Sequence, residues 1–342
     1  MSIWGVMVDR REREGVIEYS WDGARVYRLP VESYPGHITN VYLILDGGRP
    51  VLVDTGLGPK GREDLARSFE TLRREFGRDV GLAEVRDIVI THGHADHWGL
   101  LAFPEFAGKR IFIHTRDTRV LRDFQEVYRS ARDRIRRFVS EAGWDLPMDN
   151  IFELDRLRVD SSRYEVVELQ GGEAIINGYQ VYHVPGHSPG HIVLRVGPVL
   201  FLGDLVLSET TPHQLPGSLV EGCGLRLYLD SLRRVARLGD LLGLPAHEEA
   251  VYPVAGRIAE LEAFHYRRLL DILEICREER SLFQITDEYY RLRPEYLNGK
   301  TVGELSRDDQ ILALEEIRAH LDYLMEDGHV TIASRRDGVI YY

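Results

Sequence analysis

The sequence predicts an α/β fold with a helical C-terminal extension, on three observations. From Arg25 to about Phe201, short runs rich in β-branched and aromatic residues alternate with turn signals. After Tyr228 the apolar residues recur at helical spacing. From about Ser281 two helical patterns are followed by a hairpin signal, so the chain divides into 1–280 and a smaller unit, 281–342. A length of 342 residues exceeds one typical core and agrees with a large domain carrying a small one.

The elements follow in order. "NVYLILDGGRPVLVDTG" reads as two strands joined at Asp46-Gly47-Gly48. "VRDIVITHGH" is a buried strand that ends at histidines, and "RIFIHTRD" is another. Between Thr118 and Ala142, residues such as Leu121, Phe124, Tyr128, Ala131 and Ile135 recur every three or four positions, which predicts one long amphipathic helix inside an insertion spanning about 116–160. Its polar side carries Arg129, Arg132, Arg134, Arg136 and Arg137, either a solvated face or an attractor for an anionic substrate. Strand signals return in "YEVVEL", "YQVYHVPGH", "HIVLRVG" and "VLFLGDLV". Helices are expected over "LRLYLDSLRRVARLGDLLG", around Ala255 to Arg277, and at Ile285 to Leu292 and Asp309 to Asp327. "HVTIASRRDGVIYY" closes the chain as a hairpin turning at Asp337-Gly338, and helices closed by a hairpin suggest a winged-helix arrangement.

Composition narrows the function classes. The only cysteines, Cys223 and Cys276, are too few and too far apart for a disulfide framework or a cysteine-built zinc site, and they suggest a reducing compartment. The N-terminal residues carry charges where a signal peptide needs an apolar run, and no apolar stretch is long enough to span a bilayer, so a cytoplasmic protein with no membrane partner is expected. A net charge of −12 disfavours nonspecific binding to nucleic acid or anionic lipid.

The densest chemistry lies in "THGHADHWG", Thr91 to Gly99. Where a strand gives way to a loop, residues two apart project to one side, so His92 and His94 can share a metal. Asp96 and His97, just beyond, point elsewhere and can begin a second site. Imidazole nitrogen and carboxylate oxygen suit a borderline dication such as zinc.

That stretch resembles the His-X-His-X-Asp-His signature of the metallo-β-lactamase superfamily. Three further segments follow in the family's order: "VLVDTGLG" from Val51, "VPGHSPGH" from Val184 and "FLGDLV" from Phe201. The resemblance, over roughly residues 25 to 280, implies a four-layered αββα sandwich. It also implies one metal held by His92, His94 and His187 and a second held by Asp96, His97 and His247, with Asp204 bridging both. His247 is matched through "GLPAHEEAVYPVAGR", where Ala246 and Glu248 stand in place of the glycines found in many relatives. On that resemblance Asp96 and Asp204 are expected to be the catalytic carboxylates, and Asp54 to orient a ligating histidine. Two dications balanced by two carboxylates leave a positive site, which favours a metal-bridging hydroxide as nucleophile and stabilises an oxyanion. Zinc is expected, with iron or manganese as alternatives.

The metal site gives the reaction class and not the substrate. A small-molecule ester, thioester or lactone is the first expectation. A single-strand RNA hydrolase of the lactamase-beta-like branch is the alternative, weakened by a C-terminal unit with more acidic than basic residues. A mononuclear iron persulfide dioxygenase and a winged-helix regulator rank lower. His213, in "ETTPHQLPG", is a candidate substrate contact, while His265 and His320 are expected on helices, at solvent or a packing interface. The C-terminal unit is expected to cover the active site or to form a homodimer interface.

Overall fold

The computed structural model describes residues 2–3, 6–144, 154, 157–335 and 338–342. A short ribbon pairs β1 (Ser2–Ile3) with β2 (Val6–Met7). An eight-stranded mixed sheet follows, made of β3 (Asp9–Arg13), β4 (Val16–Trp21), β5 (Ala24–Tyr34), β6 (His37–Leu45), β7 (Val51–Val53), β8 (Asp87–Val89), β9 (Arg110–His114) and β10 (Glu165–Leu169). Strands β3 to β7 run antiparallel and β7 to β10 parallel, so the sheet begins in the acidic and basic N-terminal text that carries no clear strand signal. A second sheet joins β11 (Ala174–Ile175), β12 (Tyr179–His183), β13 (Ile192–Val196), β14 (Val199–Gly203) and β15 (Leu242–Pro245), with only the β14–β15 pair parallel.

Alternation sorts the central strands between two cores. In β6 and β7, Tyr42, Ile44, Val51 and Val53 face the second sheet, whereas Val41, Leu43 and Leu52 belong to the opposite core. Side chains one apart point to opposite faces, so strands covered on both sides read as continuous apolar runs. Helix α1 (Gly58–Phe76) covers the outer face with Leu65, Phe69, Leu72 and Phe76, and it stops at Gly77, whose φ of 62° takes the left-handed cap conformation. Each of those side chains contributes roughly 1.5–3 kcal/mol by leaving water. The single turn α2 (Ala95–Trp98) follows β8, and the insertion begins only after β9. Helices α5 (Leu225–Ala236) and α6 (Val254–Ile275) cover the outer face of the second sheet, completing the four-layered αββα sandwich.

The inserted helix is broken, where the periodicity predicts it continuous. One turn, α3 (Arg119–Arg122), is separated from α4 (Phe124–Glu141) by Asp123, at φ −151° and ψ 59°. The Asp123 carboxylate accepts from the Glu126 amide and so starts α4 afresh, a choice that helical spacing of apolar residues does not reveal. The rest of the expected insertion, between residues 145 and 156, lies largely outside the described residues.

Helices α7 (Leu282–Leu292) and α8 (Arg307–Glu326) precede a small sheet ordered β16 (Arg280–Ser281), β18 (Gly338–Tyr341), β17 (Ile332–Arg335). A capping box between Ser281 and Gln284 fixes the start of α7. Strands β17 and β18 pair antiparallel, while Asp337 of the expected turn lies outside the described residues. Leu282, Ile285, Leu314, Ile317 and Leu321 share one buried cluster with Phe201 and Leu244 of the second sheet. No helix among the described residues is long and apolar enough to cross a membrane.

Candidate metal centre

The candidate ligands collect at the carboxyl ends of strands, where an α/β sheet leaves a crevice. Asp54 follows β7, Thr91 to His97 follow β8, His187 lies between β12 and β13, Asp204 follows β14, and His247 follows β15. His94 is extended, at φ −74° and ψ 144°, and the next residues wind into α2. That switch carries Asp96 and His97 toward His247, while the His97 ring stays 3.9 Å from that of His92, centroid to centroid.

Two groups form around one carboxylate. The donor atoms of His92, His94, His187 and Asp204 lie within 4.8 Å of one another, as do those of His97, Asp204 and His247. His94 Nδ1 is 2.9 Å from His92 Nε2 and 3.0 Å from His187 Nε2. Asp204 Oδ2 stands 3.5 Å from His187 Nε2 and 3.6 Å from His97 Nε2, and its Oδ1 stands 3.4 Å from His247 Nε2. Asp96 Oδ2 is 3.5 Å from His97 Nε2 and 3.3 Å from His247 Nε2. His37, at the start of β6, joins this second group from the exposed side, 3.4 Å from Asp96.

The outward ring nitrogens are held by the protein. His97 Nδ1 meets Asp54 Oδ2 at 2.9 Å, His187 Nδ1 meets the His213 carbonyl at 2.9 Å, and His247 Nδ1 meets the Ile38 carbonyl at 2.7 Å. Donation at Nδ1 leaves the Nε2 lone pair aimed inward. Asp54 also accepts from the Thr91 amide and hydroxyl, both at 2.8 Å, and does so from a left-handed φ of 60°. Such a conformation costs a non-glycine residue roughly 1 kcal/mol or more and persists because three hydrogen bonds hold it. His191 accepts from the Asp204 amide at 3.0 Å and lies behind the ligands.

The donor set fits a divalent metal. His97 Nε2 and Asp204 Oδ1 are buried at the centre yet make no hydrogen bond, which is costly unless a cation is to fill that role. Burial pushes His94 down to about 3 and His92 well below the usual range, so both offer lone pairs at neutral pH. Burial opposes charge on His247 too, yet the Asp204 and Asp96 carboxylates outweigh it and push that ring up to about 10. These carboxylates demand positive charge.

Three features escape a reading of the sequence. Asp117, in "IHTRD", accepts from the Gly93 amide at 2.7 Å, the Gly190 amide at 2.8 Å and the Ser188 hydroxyl at 2.9 Å, tying the two histidine loops together. A Cβ at Gly190 would sit 2.6 Å from its carboxyl carbon, so glycine is required there. Glu248 takes a φ of 66°, the conformation a glycine would adopt, while its carboxylate accepts from Ser208, Glu209 and Thr210. The Ala246-His247-Glu248 departure therefore keeps the glycine backbone and adds a clamp. Finally, His213 is gripped by α8: Nε2 is 3.1 Å from Glu315 and Nδ1 is 3.4 Å from Glu316. Burial resists its charge, but the two carboxylates push it up to about 9. The nearest sequence signal is the acidic pair itself, and nothing in its helical pattern singles out His213.

A cavity of about 980 Å³ opens onto the ligands, walled by α4, the loop around residues 211–220 and the start of α8. His94, Asp96, His187, Asp204, His213 and His247 line it. A family model described as metallo-beta-lactamase superfamily matches residues 34–247. The chain is 24% identical over 317 residues to the probable metallo-hydrolase YqjP of Bacillus subtilis (strain 168), covering 89% of this chain and 92% of that one. It is 28% identical over 213 residues to the acyl-coenzyme A thioesterase MBLAC2 of Bos taurus, 60% of this chain and 70% of that one. Among solved structures, the metallo-beta-lactamase family protein TTHA1429 from Thermus thermophilus superposes with a TM-score of 0.72 at 26% identity, covering 93% of this chain and 98% of that one.

Proposed function

The chain belongs to the metallo-beta-lactamase superfamily, and on that premise we propose that it is a dinuclear metal-dependent hydrolase of small-molecule thioesters. The carrying observation is the shared carboxylate: Asp204 presents one oxygen toward His187 and His97 and the other toward His247. His92, His94 and His187 would hold one cation, and Asp96, His97 and His247 the other, with Asp204 between them; zinc suits the ligands. Bound there, the cations supply Lewis acidity and lower the pKa of water.

The remaining work belongs to the chain. Asp54, the His213 carbonyl and the Ile38 carbonyl hold three imidazoles in one tautomer, which keeps the lone pairs convergent. Asp117 fixes the separation of the two histidine loops. The apolar stretch of the cavity wall, from Val120 and Phe124 to Leu312, excludes water from a bound acyl group. Thioesters are favoured over other carbonyl substrates because a thioesterase stands among the relatives. Residues 281–342 are read as a winged-helix-like cover for the site, since Glu315 and Glu316 reach His213.

Elemental analysis of protein purified without added metal tests the count, and turnover of matched thioesters, oxygen esters, lactones, phosphodiesters and a short single-stranded RNA tests the substrate. Two metals per chain with thioester cleavage are expected. One metal per chain would sink the dinuclear reading, and cleavage of RNA alone would replace the thioester one.

A further inference from the structure

The arginine-rich side of the inserted helix divides in two. Arg129 and Arg136 pair along the helix with Glu126 and Asp133 and face solvent. Arg132 and Arg134 turn inward and line the cavity, joined by Arg116 from the turn after β9 and Arg119 from α3. Among the described residues, none of these four has a carboxylate within 4.0 Å, whereas the neighbouring Arg122, Arg129 and Arg136 each pair with one. The Nε of Arg132 is buried and makes no hydrogen bond.

Two of the four reach the same stretch of the cavity wall, at Gly222 and Cys223. A Cβ at Gly222 would stand 3.1 Å from a guanidinium nitrogen of Arg116 and 3.0 Å from Pro189, two residues beyond His187. Arg134, whose Nη1 donates to Ser130 one turn back at 3.0 Å, carries its charge near Cys223, where it acts against the burial that pushes the thiol up. The acids in the same cavity are engaged elsewhere. Asp117 holds the histidine loops, Glu315 pairs with His213, Asp309 with Ser306 and Asp308 with Arg307. Cationic charge inside a largely apolar cavity is therefore left without a carboxylate, and guanidinium groups bind phosphate or carboxylate strongly in such surroundings.

Resting on the thioesterase reading, we propose that the cavity takes a thioester with unlike halves. An apolar acyl chain lies along Val120, Phe124, Val127 and Leu312, and an anionic group on the thiol half is held by Arg116 and Arg134. The anion is a phosphate on a long arm or a carboxylate on a short one; both answer the same guanidinium chemistry.

The test uses octanoyl thioesters of coenzyme A, mercaptoacetate and N-acetylcysteamine, together with their non-cleavable S-octyl thioethers. Turnover is followed with the esters and affinity with the thioethers by calorimetry, on metal-loaded wild type, Arg116→Ala, Arg134→Ala and, as a solvent-facing control, Arg129→Ala. Wild type should prefer one anionic arm over the neutral arm by roughly ten- to a hundredfold in both readouts. Arg116→Ala and Arg134→Ala should erase that preference by weakening the anionic compounds more than the neutral one, and Arg129→Ala should keep it. The coenzyme A and mercaptoacetate arms separate phosphate from carboxylate. Equal affinity of wild type for all three thioethers, or a preference that survives both cavity variants, overturns the proposal. A thioether preference lost in the variants, with no ester cleaved, leaves the anion site standing and removes the thioesterase reading instead.

Discussion

Two regions of this molecule bury imidazoles and carboxylates side by side, and they handle them differently. At the sheet ends, His92, His94, His187 and Asp204 converge with His97 and His247, and central atoms of Asp204 and His97 lack hydrogen bonds. Between α6 and α8, His265, Glu316 and His320 lie equally close and equally buried. There the carboxylate is committed. One oxygen of Glu316 pairs with Arg268, and the other accepts from the Gln214 amide at 2.9 Å and lies near His213. His265 Nδ1 meets His320 Nε2 at 3.0 Å, and Arg268 donates to the Tyr289 hydroxyl at 2.9 Å. Of that trio only His265 Nε2 is left over. A guanidinium already occupies the charge that a cation would bring, so the helical cluster reads as a structural network. Ligand residue types alone do not make a metal site; convergent donors without protein partners do.

The contrast can be broken by substitution. Asp204→Ala should remove metal from both groups and lower kcat/KM by about a thousandfold or more, read by elemental analysis and thioester turnover together. Full activity in that variant would remove Asp204 from the shared position. Arg268→Ala leaves the buried Glu316 without its guanidinium partner and should cost roughly 3–5 kcal/mol in denaturant unfolding while the metal content per folded chain stays constant. Metal loss there would show that the helical cluster holds an ion after all. Asp54→Ala frees His97 Nδ1 and should weaken metal affinity by roughly ten- to a hundredfold, seen as earlier stripping by a chelator, with residual activity at saturating metal.

The smallest effect concerns pH. Burial, followed by the Arg268 charge, pushes His320 down to about 4, and burial lowers His265 as well. A histidine with a depressed folded pKa binds its proton more readily when unfolded, so its contribution is present above about 6.5 and is lost as pH falls toward 4. The stability difference between wild type and His320→Leu should therefore move against wild type by on the order of 2 kcal/mol from pH 7 to pH 5, read by denaturant unfolding of both at each pH. An unchanged difference would show that the pair is not buried neutral.

Much of the centre was legible because metal chemistry writes itself locally. His92, His94, Asp96 and His97 must sit within one strand-to-turn segment, and the spacing follows from strand geometry. Strands such as Val51–Val53 and Val199–Gly203 were legible from continuous apolar runs, as burial on both faces requires. The break at Asp123 was not, because a capping side chain competes with a periodicity that continues through it. His320, placed by its helix at either solvent or an interface, proved to be fully buried, a choice made by α6.

What the sequence by itself determined is the α/β class, the strand ends that carry the ligand types, and the helical extension, since each depends on residues a few positions apart. Only the tertiary structure decided which nitrogen faces inward, that Asp117 joins loops more than seventy residues apart, that Glu315 and Glu316 grip His213 a hundred residues away, and which arginines of one helix turn toward the cavity. The physical reason is that hydrogen bonds and burial act on distance in space. A carboxylate can be satisfied by any chain segment the fold brings near, and no local pattern records which.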